Sequence, residues 1–143
     1  MSQWLRGTAL GNQLRDGKNS LFSKLSVFGF ISVKPLVLIV WNGETNGLTA
    51  FNAPLYEPDL RTCLDQLDVD WGPTKTIIVG INQGFSSVPF RAVIKAAQIT
   101  VASERTWRTF IDTDPITFPD HDGLHYLTPG FQKANALIAP SIN

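Results

Sequence analysis

Leu36-Val37-Leu38-Ile39-Val40-Trp41 and Thr76-Ile77-Ile78-Val79-Gly80-Ile81 decide the fold of this 143-residue chain. Both runs are apolar on both faces, which is the pattern of central strands that helices cover on each side of a sheet. A shorter run, Thr109-Phe110-Ile111-Asp112, predicts a third strand. Because helical periodicity separates these runs, we expect an α/β fold, a three-layer sandwich around a parallel sheet.

Four segments show helical spacing of apolar residues. The opening segment, residues 12–27, predicts a helix with leucines at positions 14, 21 and 25 toward the core. A second helix follows Pro58, with an apolar face of Leu60, Cys63, Leu64 and Leu67. A third, capped by Ser86 or Ser87, has a stripe of Phe90, Val93, Ile94, Ala97 and Val101. The last starts at Thr128 and Pro129, stops at Pro140, and buries Phe131, Ala134, Leu137 and Ile138.

Composition limits the classes of protein to which the chain can belong. Hydrophobic residues make up 43% and charged residues 17%, which is typical of one soluble globular domain over residues 1–143. Twelve basic residues balance twelve acidic ones, so we do not expect a nucleic-acid partner.

The longest apolar run, residues 35–41, is far shorter than the roughly 20 residues that cross a bilayer. With no export signal at its start, we expect the chain in the cytoplasm or in a virion.

The chain has a single cysteine, Cys63, which excludes an internal disulfide. Its neighbours in the predicted helix are apolar, so we expect a buried, unreactive thiol. This leaves open whether the compartment is oxidising or reducing.

Candidate functional residues follow the predicted strands, because ligands of open α/β sheets bind beyond the carboxyl ends of the strands. Residues 41–46 follow the first strand, and residues 82–84 follow the second. A loop with Asp120, His121, Asp122 and His125 follows the third. All three segments are polar, and all contain glycine.

Asp122 and His125 are three residues apart, a spacing that lets a carboxylate accept the Nδ1 proton of an imidazole. The other ring nitrogen is then free to take a proton from a hydroxyl nucleophile, as acyl transfer by serine requires. The alternative is structural, because aspartate, histidine and glycine before a helix also serve as capping and turn residues.

The segment Asp-Gly-Leu-His-Tyr-Leu-Thr-Pro-Gly, residues 122–130, resembles the last motif of the SGNH hydrolases. Trp-Asn-Gly-Glu-Thr-Asn, residues 41–46, is similar to the Trp-x-Gln-Gly-Glu-Ser-Asp type motif of their sialate O-acetylesterase and acetylxylan esterase branch. The order of elements over residues 35–143 also resembles that branch. The resemblance implies a flavodoxin-like sheet, acetylated carbohydrate as substrate, and no cofactor.

The resemblance also assigns roles to individual residues. His125 is implied as the general base and then the general acid, and Asp122 as the carboxylate that orients it. Asn42, which replaces the glutamine of the motif, is implied as a donor to the oxyanion, with Gly43 beside it. Trp41 is expected to line the pocket. For Glu44 we expect a hydrogen bond that organises the loop.

The sequence departs from the family where the nucleophile belongs. SGNH hydrolases begin with a strand leading into Gly-Asp-Ser or Gly-Gln-Ser, and these 143 residues contain neither motif. Without that strand the domain is incomplete on its N-terminal side, and residues 36–41 form an exposed edge. Unpaired edges invite pairing, so we expect another protein chain or a second copy to cover it.

Three other interpretations stay open. His121 and His125 are four apart and flank Asp122, which is compatible with a metal site, although Pro119 and Gly123 suggest a loop with His121 solvated. Trp4, Trp71 and Trp107 are compatible with a sugar platform, although packing explains them more simply. The chain is also compatible with a non-catalytic binding or assembly component, for example of a virion. The interpretation that we carry forward is a carbohydrate O-acetylesterase-like domain without its own nucleophile.

Overall fold

The computed structural model describes residues 9–27 and 36–142, which form four α-helices and three β-strands. Trp4 lies outside the described residues. The elements in chain order are α1 (Ala9–Ser26), β1 (Val37–Val40), α2 (Tyr56–Trp71), β2 (Lys75–Val79), α3 (Arg91–Ser103), β3 (Arg108–Ile111) and α4 (Thr128–Ile138). Short 3-10 turns lie at Asn46–Leu48, Ala53–Leu55 and Ala139–Ser141.

The three strands form one parallel sheet in the order β1-β2-β3. In this register Val40 pairs with Ile78, and Val79 pairs with Ile111. The predicted α/β fold is therefore confirmed, with each strand found within a residue or two of its predicted position. Because all strands are parallel, their carboxyl ends meet at one edge, where the loops after β1, β2 and β3 converge.

Helices cover the two faces of the sheet unequally. The connections from β1 through α2 to β2 and from β2 through α3 to β3 run in the same direction across the sheet, and right-handed crossovers of this kind place both helices on one face. On that face Leu60, Leu64, Ile94 and Val101 form the main core with Ile78. The opposite face carries a smaller cluster of Ile77, Val79 and Ile138, the last from α4. The α4 helix thus covers this face over β2.

Strand β1 is the less protected edge of the sheet. Ile39 points to the same face as Val37 because side chains alternate along a strand, and its side chain is 46% exposed. Leu36, just before the strand, is 85% exposed. Within residues 9–27 and 36–142, β2 is the only strand that pairs with β1. The predicted open edge is present in the part of the chain that the structure describes.

The first helix contacts α2 through charged groups. Arg15 pairs with Asp70, and Lys18 donates to the Asp70 carbonyl at 3.1 Å. Leu21 is 49% exposed, so the prediction that it faces the core is wrong. The described contacts between α1 and α2 are the polar ones of Arg15 and Lys18. The described helices include none that is both long and apolar enough to span a lipid bilayer.

The third helix differs from its prediction in two ways. It begins at Arg91, and neither Ser86 nor Ser87 caps it; Ser87 instead donates its N–H to the Gly123 carbonyl at 3.1 Å. Its buried face also includes Gln98, whereas Val93 is 44% exposed. The predicted stripe was therefore rotated slightly away from the true core face.

Several smaller expectations have definite outcomes. Cys63 is buried as predicted, and burial raises the pKa of its thiol. Phe131 is 48% exposed, so its predicted place on the buried face of α4 is wrong, while Ala134 and Ile138 are buried there. The Trp107 indole donates to Asp68 at 3.2 Å.

Candidate active site

Residues 120–127 fold into a tight hairpin at the carboxyl edge of the sheet. Leu127 donates its N–H to the Asp120 carbonyl at 2.8 Å, and Asp122 donates to the His125 carbonyl at 3.0 Å. The chain reverses at Gly123, whose φ of +93° lies in the region that favours glycine. Asp122 and His125 therefore face each other across the hairpin.

The Asp122 carboxylate binds the opposite side of this hairpin through both oxygens. Its Oδ1 accepts the N–H of His125 at 2.6 Å and that of Leu124 at 2.9 Å, and its Oδ2 lies 3.3 Å from His125 Nδ1. These hydrogen bonds, with that of the His125 N–H the largest, lower the pKa of Asp122 from 3.8 to about 2. A charged carboxylate at this distance favours the Nδ1–H tautomer of neutral His125.

The imidazole of His125 is open to approaching molecules. Its side chain is 71% exposed, compared with 50% for that of Asp122. Its Nε2 atom has no hydrogen-bond partner among the residues described. In the Nδ1–H tautomer, Nε2 carries the lone pair, so it can accept a proton from a hydroxyl group.

His121, in the same hairpin, is a packing residue. We expected a solvated loop residue, but its relative exposure is 4%. Its Nδ1 accepts the N–H of Gly123 at 3.2 Å, and its ring packs edge-on against Phe85 with centroids 5.2 Å apart. The expectation is wrong because the hairpin folds this imidazole inward, against Gly84, whose added Cβ would lie 2.8 Å from Nε2.

The two histidines thus have separate environments, one buried and one exposed. A metal site using both would need them on one surface with further ligands. Among the described residues, no group of three or more His, Cys, Asp or Glu side chains is placed to hold a metal ion.

His125 lines a shallow pocket of about 240 Å³. We call it the aromatic pocket; its lining residues are Trp41, Glu44, Phe85, Leu124, His125, Tyr126 and Phe131. The Trp41 ring meets the rings of Tyr126 and Phe131 edge-on, with centroids 5.6 Å apart in each pair. Residues that follow β1, β2 and β3 are thereby brought together around one exposed imidazole.

Glu44 supplies the carboxylate of the aromatic pocket. Among the residues that the structure describes, its carboxylate forms no hydrogen bond or ion pair, so the loop-organising hydrogen bond that we expected is not seen there. The loop is instead closed by the backbone, since Gly47 donates its N–H to the Gly43 carbonyl at 2.9 Å. The Glu44 side chain is left to face the pocket.

Asn42 lies beside the aromatic pocket but is not among the residues that line it. Its Oδ1 accepts the hydroxyl of Tyr56 at 2.9 Å, and its backbone carbonyl accepts Gln98 Nε2 at 2.9 Å. Burial raises the pKa of Tyr56 well above its usual value, so its hydroxyl stays protonated and remains a donor. Asn42 is therefore fixed at the end of β1, and the structure does not bring its amide to the pocket wall.

Gly43 has a structural requirement of its own. Its φ is +128°, and an added Cβ would lie 2.6 Å from Ile94 Cγ2. A side chain at this position would push α3 away from the loop after β1. Glycine is thus needed here for packing, independent of any part in an oxyanion site.

Two buried amides organise the strand ends: Gln98, which we did not single out, and Asn82, which we named only as part of a polar segment. Gln98 accepts the Ile81 N–H at 2.8 Å through Oε1 and donates to the Val79 carbonyl at 3.2 Å. Asn82 donates to the carbonyls of Thr113 and Ile116 at 2.6 and 2.7 Å. Two features of the sequence could have indicated these roles: a lone glutamine on the apolar face of a helix, and an asparagine directly after a buried strand.

The serines nearest the hairpin are Ser86 and Ser87. An added Cβ on Gly123 would lie 2.8 Å from Ser86 Oγ. Neither hydroxyl hydrogen-bonds to the His125 imidazole among the described contacts. Both serines lie in the turns before α3 and not at the sharp strand-to-helix turn that exposes a nucleophile.

Comparison with family models, with curated proteins and with solved structures finds no match to this chain.

Proposed function

We propose that this chain provides the acid–base half of a serine O-acetylesterase of the SGNH type, acting on acetylated carbohydrate. The observation that carries the proposal is the Asp122–His125 pair, with Nδ1 3.3 Å from Oδ2, at the mouth of the aromatic pocket. The nucleophile is proposed to come from a polypeptide segment outside these 143 residues, because the sequence contains neither Gly-Asp-Ser nor Gly-Gln-Ser and Ser86 and Ser87, beside the hairpin, lack the required setting.

In the proposed reaction His125 handles the proton twice. Nε2 takes the proton of a serine hydroxyl as its oxygen attacks the acetyl carbon, and then gives that proton to the departing sugar oxygen. A water molecule then attacks the acetyl carbon of the acetyl-serine in the same way, which releases acetate and restores the serine. Asp122 holds Nδ1–H throughout and stabilises the imidazolium, without itself accepting the proton.

Residues after β1 are proposed to bind the substrate. Trp41 and Glu44 line the aromatic pocket and would contact the sugar. The family resemblance implies Asn42 and Gly43 as oxyanion donors, a role for which the Asn42 amide would have to turn towards the pocket, whose wall it does not line.

Hydrolysis of a chromogenic acetate ester tests the proposal. Without a serine nucleophile, His125 can still act as a general base towards water, so we expect slow release of acetate by the purified chain. His125→Ala should slow this release about 100-fold, since general acid–base catalysis contributes roughly 10²–10⁴. Gln132→Ala, an exposed change on α4, is the control and should keep the wild-type rate. Equal rates for wild type and His125→Ala would reject the catalytic proposal.

A second candidate is a non-catalytic assembly component, which the exposed β1 edge favours. Ile39 is 46% exposed and Leu36 85% exposed, and on its other side β1 pairs with no strand among the residues that the structure describes. Under this proposal a second copy of the chain pairs with that edge. Light scattering should then show dimers that Ile39→Lys dissociates; a monomer at every concentration would reject it.

A further inference from the structure

The charge of the aromatic pocket restricts what it can bind. Glu44 carries a carboxylate there that no described residue neutralises, and the pocket lining contains no lysine or arginine. A second negative charge, that of Asp122, lies directly behind the His125 imidazole. An anionic ligand in this pocket would meet two carboxylates, with at most one imidazolium to offset them.

One candidate for a compensating cation, Lys133, is already paired. Lys133 lies on α4 two residues after the pocket residue Phe131, and its ammonium group contacts Asp120 Oδ2. The Asp120 side chain is largely buried, so this pairing keeps the ammonium directed at the hairpin. Lys133 therefore does not offer the pocket a free positive charge.

The walls of the pocket suit a sugar ring. Phe131 is 48% exposed and lies against Trp41, so two aromatic rings present apolar surface beside the Glu44 carboxylate. Aromatic surface packs against the C–H face of a sugar, while a carboxylate accepts hydrogen bonds from its hydroxyls. At about 240 Å³ the pocket is below the roughly 300–1,000 Å³ of drug-sized sites, so it suits a single ring.

We infer that Glu44 makes the aromatic pocket selective for uncharged acetylated sugars and excludes sugar acids. This inference rests on the proposed function for its ligand class, and it adds the residue that sets ligand charge. Glu44 accepts hydroxyl groups from a neutral sugar, and repels the carboxylate of a uronic acid at the same position.

Binding of two matched probes tests this inference without turnover. The probes are an O-acetylated methyl glucuronoside and its methyl ester, which differ by one negative charge on the same ring. Binding is followed by NMR through the Trp41 indole N–H, assigned with Trp41→Phe among the four tryptophans. At neutral pH we expect the ester to bind at least tenfold more tightly than the acid, a difference of about 1.4 kcal/mol.

Glu44→Gln is the decisive variant, because it keeps the size and hydrogen-bonding capacity of the side chain and removes the charge. We expect the preference for the ester to fall to about twofold or less. Equal binding of the two probes to the wild type, an unchanged preference in Glu44→Gln, or no binding of either probe would each overturn the inference. Ester hydrolysis by wild type and His125→Ala is measured separately, so a failure of charge selection is distinguishable from a failure of the proposed catalysis.

Discussion

His125 receives two contacts from Asp122, one to its backbone and one to its ring. Asp122 Oδ1 accepts the His125 N–H at 2.6 Å, while Oδ2 lies 3.3 Å from Nδ1. The first bond fixes where the residue lies in the hairpin, and the second fixes how the ring is oriented. One carboxylate therefore sets both the position and the tautomer of the imidazole that opens onto the aromatic pocket.

The lowered pKa of Asp122 has a measurable consequence. Because hydrogen bonds to the charged form depress the pKa to about 2, this carboxylate should stabilise the hairpin above its unfolded pKa of 3.8. That stabilisation is lost as the pH falls through about 2. NMR titration of the Leu124 and His125 amide protons should show a midpoint near 2. A midpoint near 4 would mean that the carboxylate does not hold the hairpin in solution.

An added methyl group tests the packing of the loop after β1, because Gly43 has no room for one whereas Gly17 does. Gly43→Ala introduces a Cβ 2.6 Å from Ile94 at a positive φ, so we expect a loss of about 2 kcal/mol or more. Gly17→Ala, in the middle of α1 with no atom within 4 Å of the new Cβ, should stabilise the protein by about 0.5–1 kcal/mol.

Urea unfolding followed by circular dichroism measures both changes. A Gly43→Ala variant as stable as wild type would show that the loop after β1 does not pack against α3 as described.

Much of the fold follows from local pattern, because apolar runs and helical spacing are properties of neighbouring residues. That is why β1, β2, β3, α2 and α4 were predicted near their true positions. The start of α3 was not, because Ser87 uses its N–H to hold the Gly123 carbonyl of a hairpin that lies 36 residues later in the chain. Such a long-range contact leaves no local signature.

In the candidate site, too, contacts between near neighbours in the sequence were predictable and long-range contacts were not. The Asp122–His125 spacing is local, so the contact between their side chains was predictable. The inward turn of His121 depends on its packing against Phe85 and Gly84, and the position of Glu44 at the pocket depends on the fold of the whole loop. Neither is readable from residue type alone. The buried role of Gln98 was missed because helical periodicity counts apolar residues and passes over a polar one on the same face.

Gln98 is expected to be a major source of stability at the strand ends. Replacing it by leucine leaves the Ile81 N–H without its acceptor, while the Asn42 carbonyl keeps the Tyr56 hydroxyl at 3.1 Å. An unsatisfied buried group costs about 1–3 kcal/mol, so Gln98→Leu should lower the free energy of unfolding by about this amount. Thr100→Ala, an exposed change on the same helix, should stay within about 0.5 kcal/mol of wild type.

Urea unfolding of both α3 variants decides the matter. If Gln98→Leu is as stable as wild type, the polar network that joins α3 to the ends of β1 and β2 does not form.

His121 is expected to protect the tip of the hairpin. His121→Leu removes the acceptor of the Gly123 N–H, whereas His121→Asn keeps an acceptor at the same distance from the backbone. Hydrogen exchange at the Gly123 amide should therefore be fastest in His121→Leu and intermediate in His121→Asn. Equal exchange rates in all three proteins would contradict this role for the buried imidazole.

The coupling between Asp122 and His125 is the most direct test of the proposed chemistry. Acetate release from the chromogenic ester is measured for Asp122→Asn, His125→Ala and the double variant. Residues that act as one unit show non-additive losses. The account expects the double variant to be no slower than His125→Ala alone. Losses that multiply in the double variant, or no loss in either single variant, would contradict it.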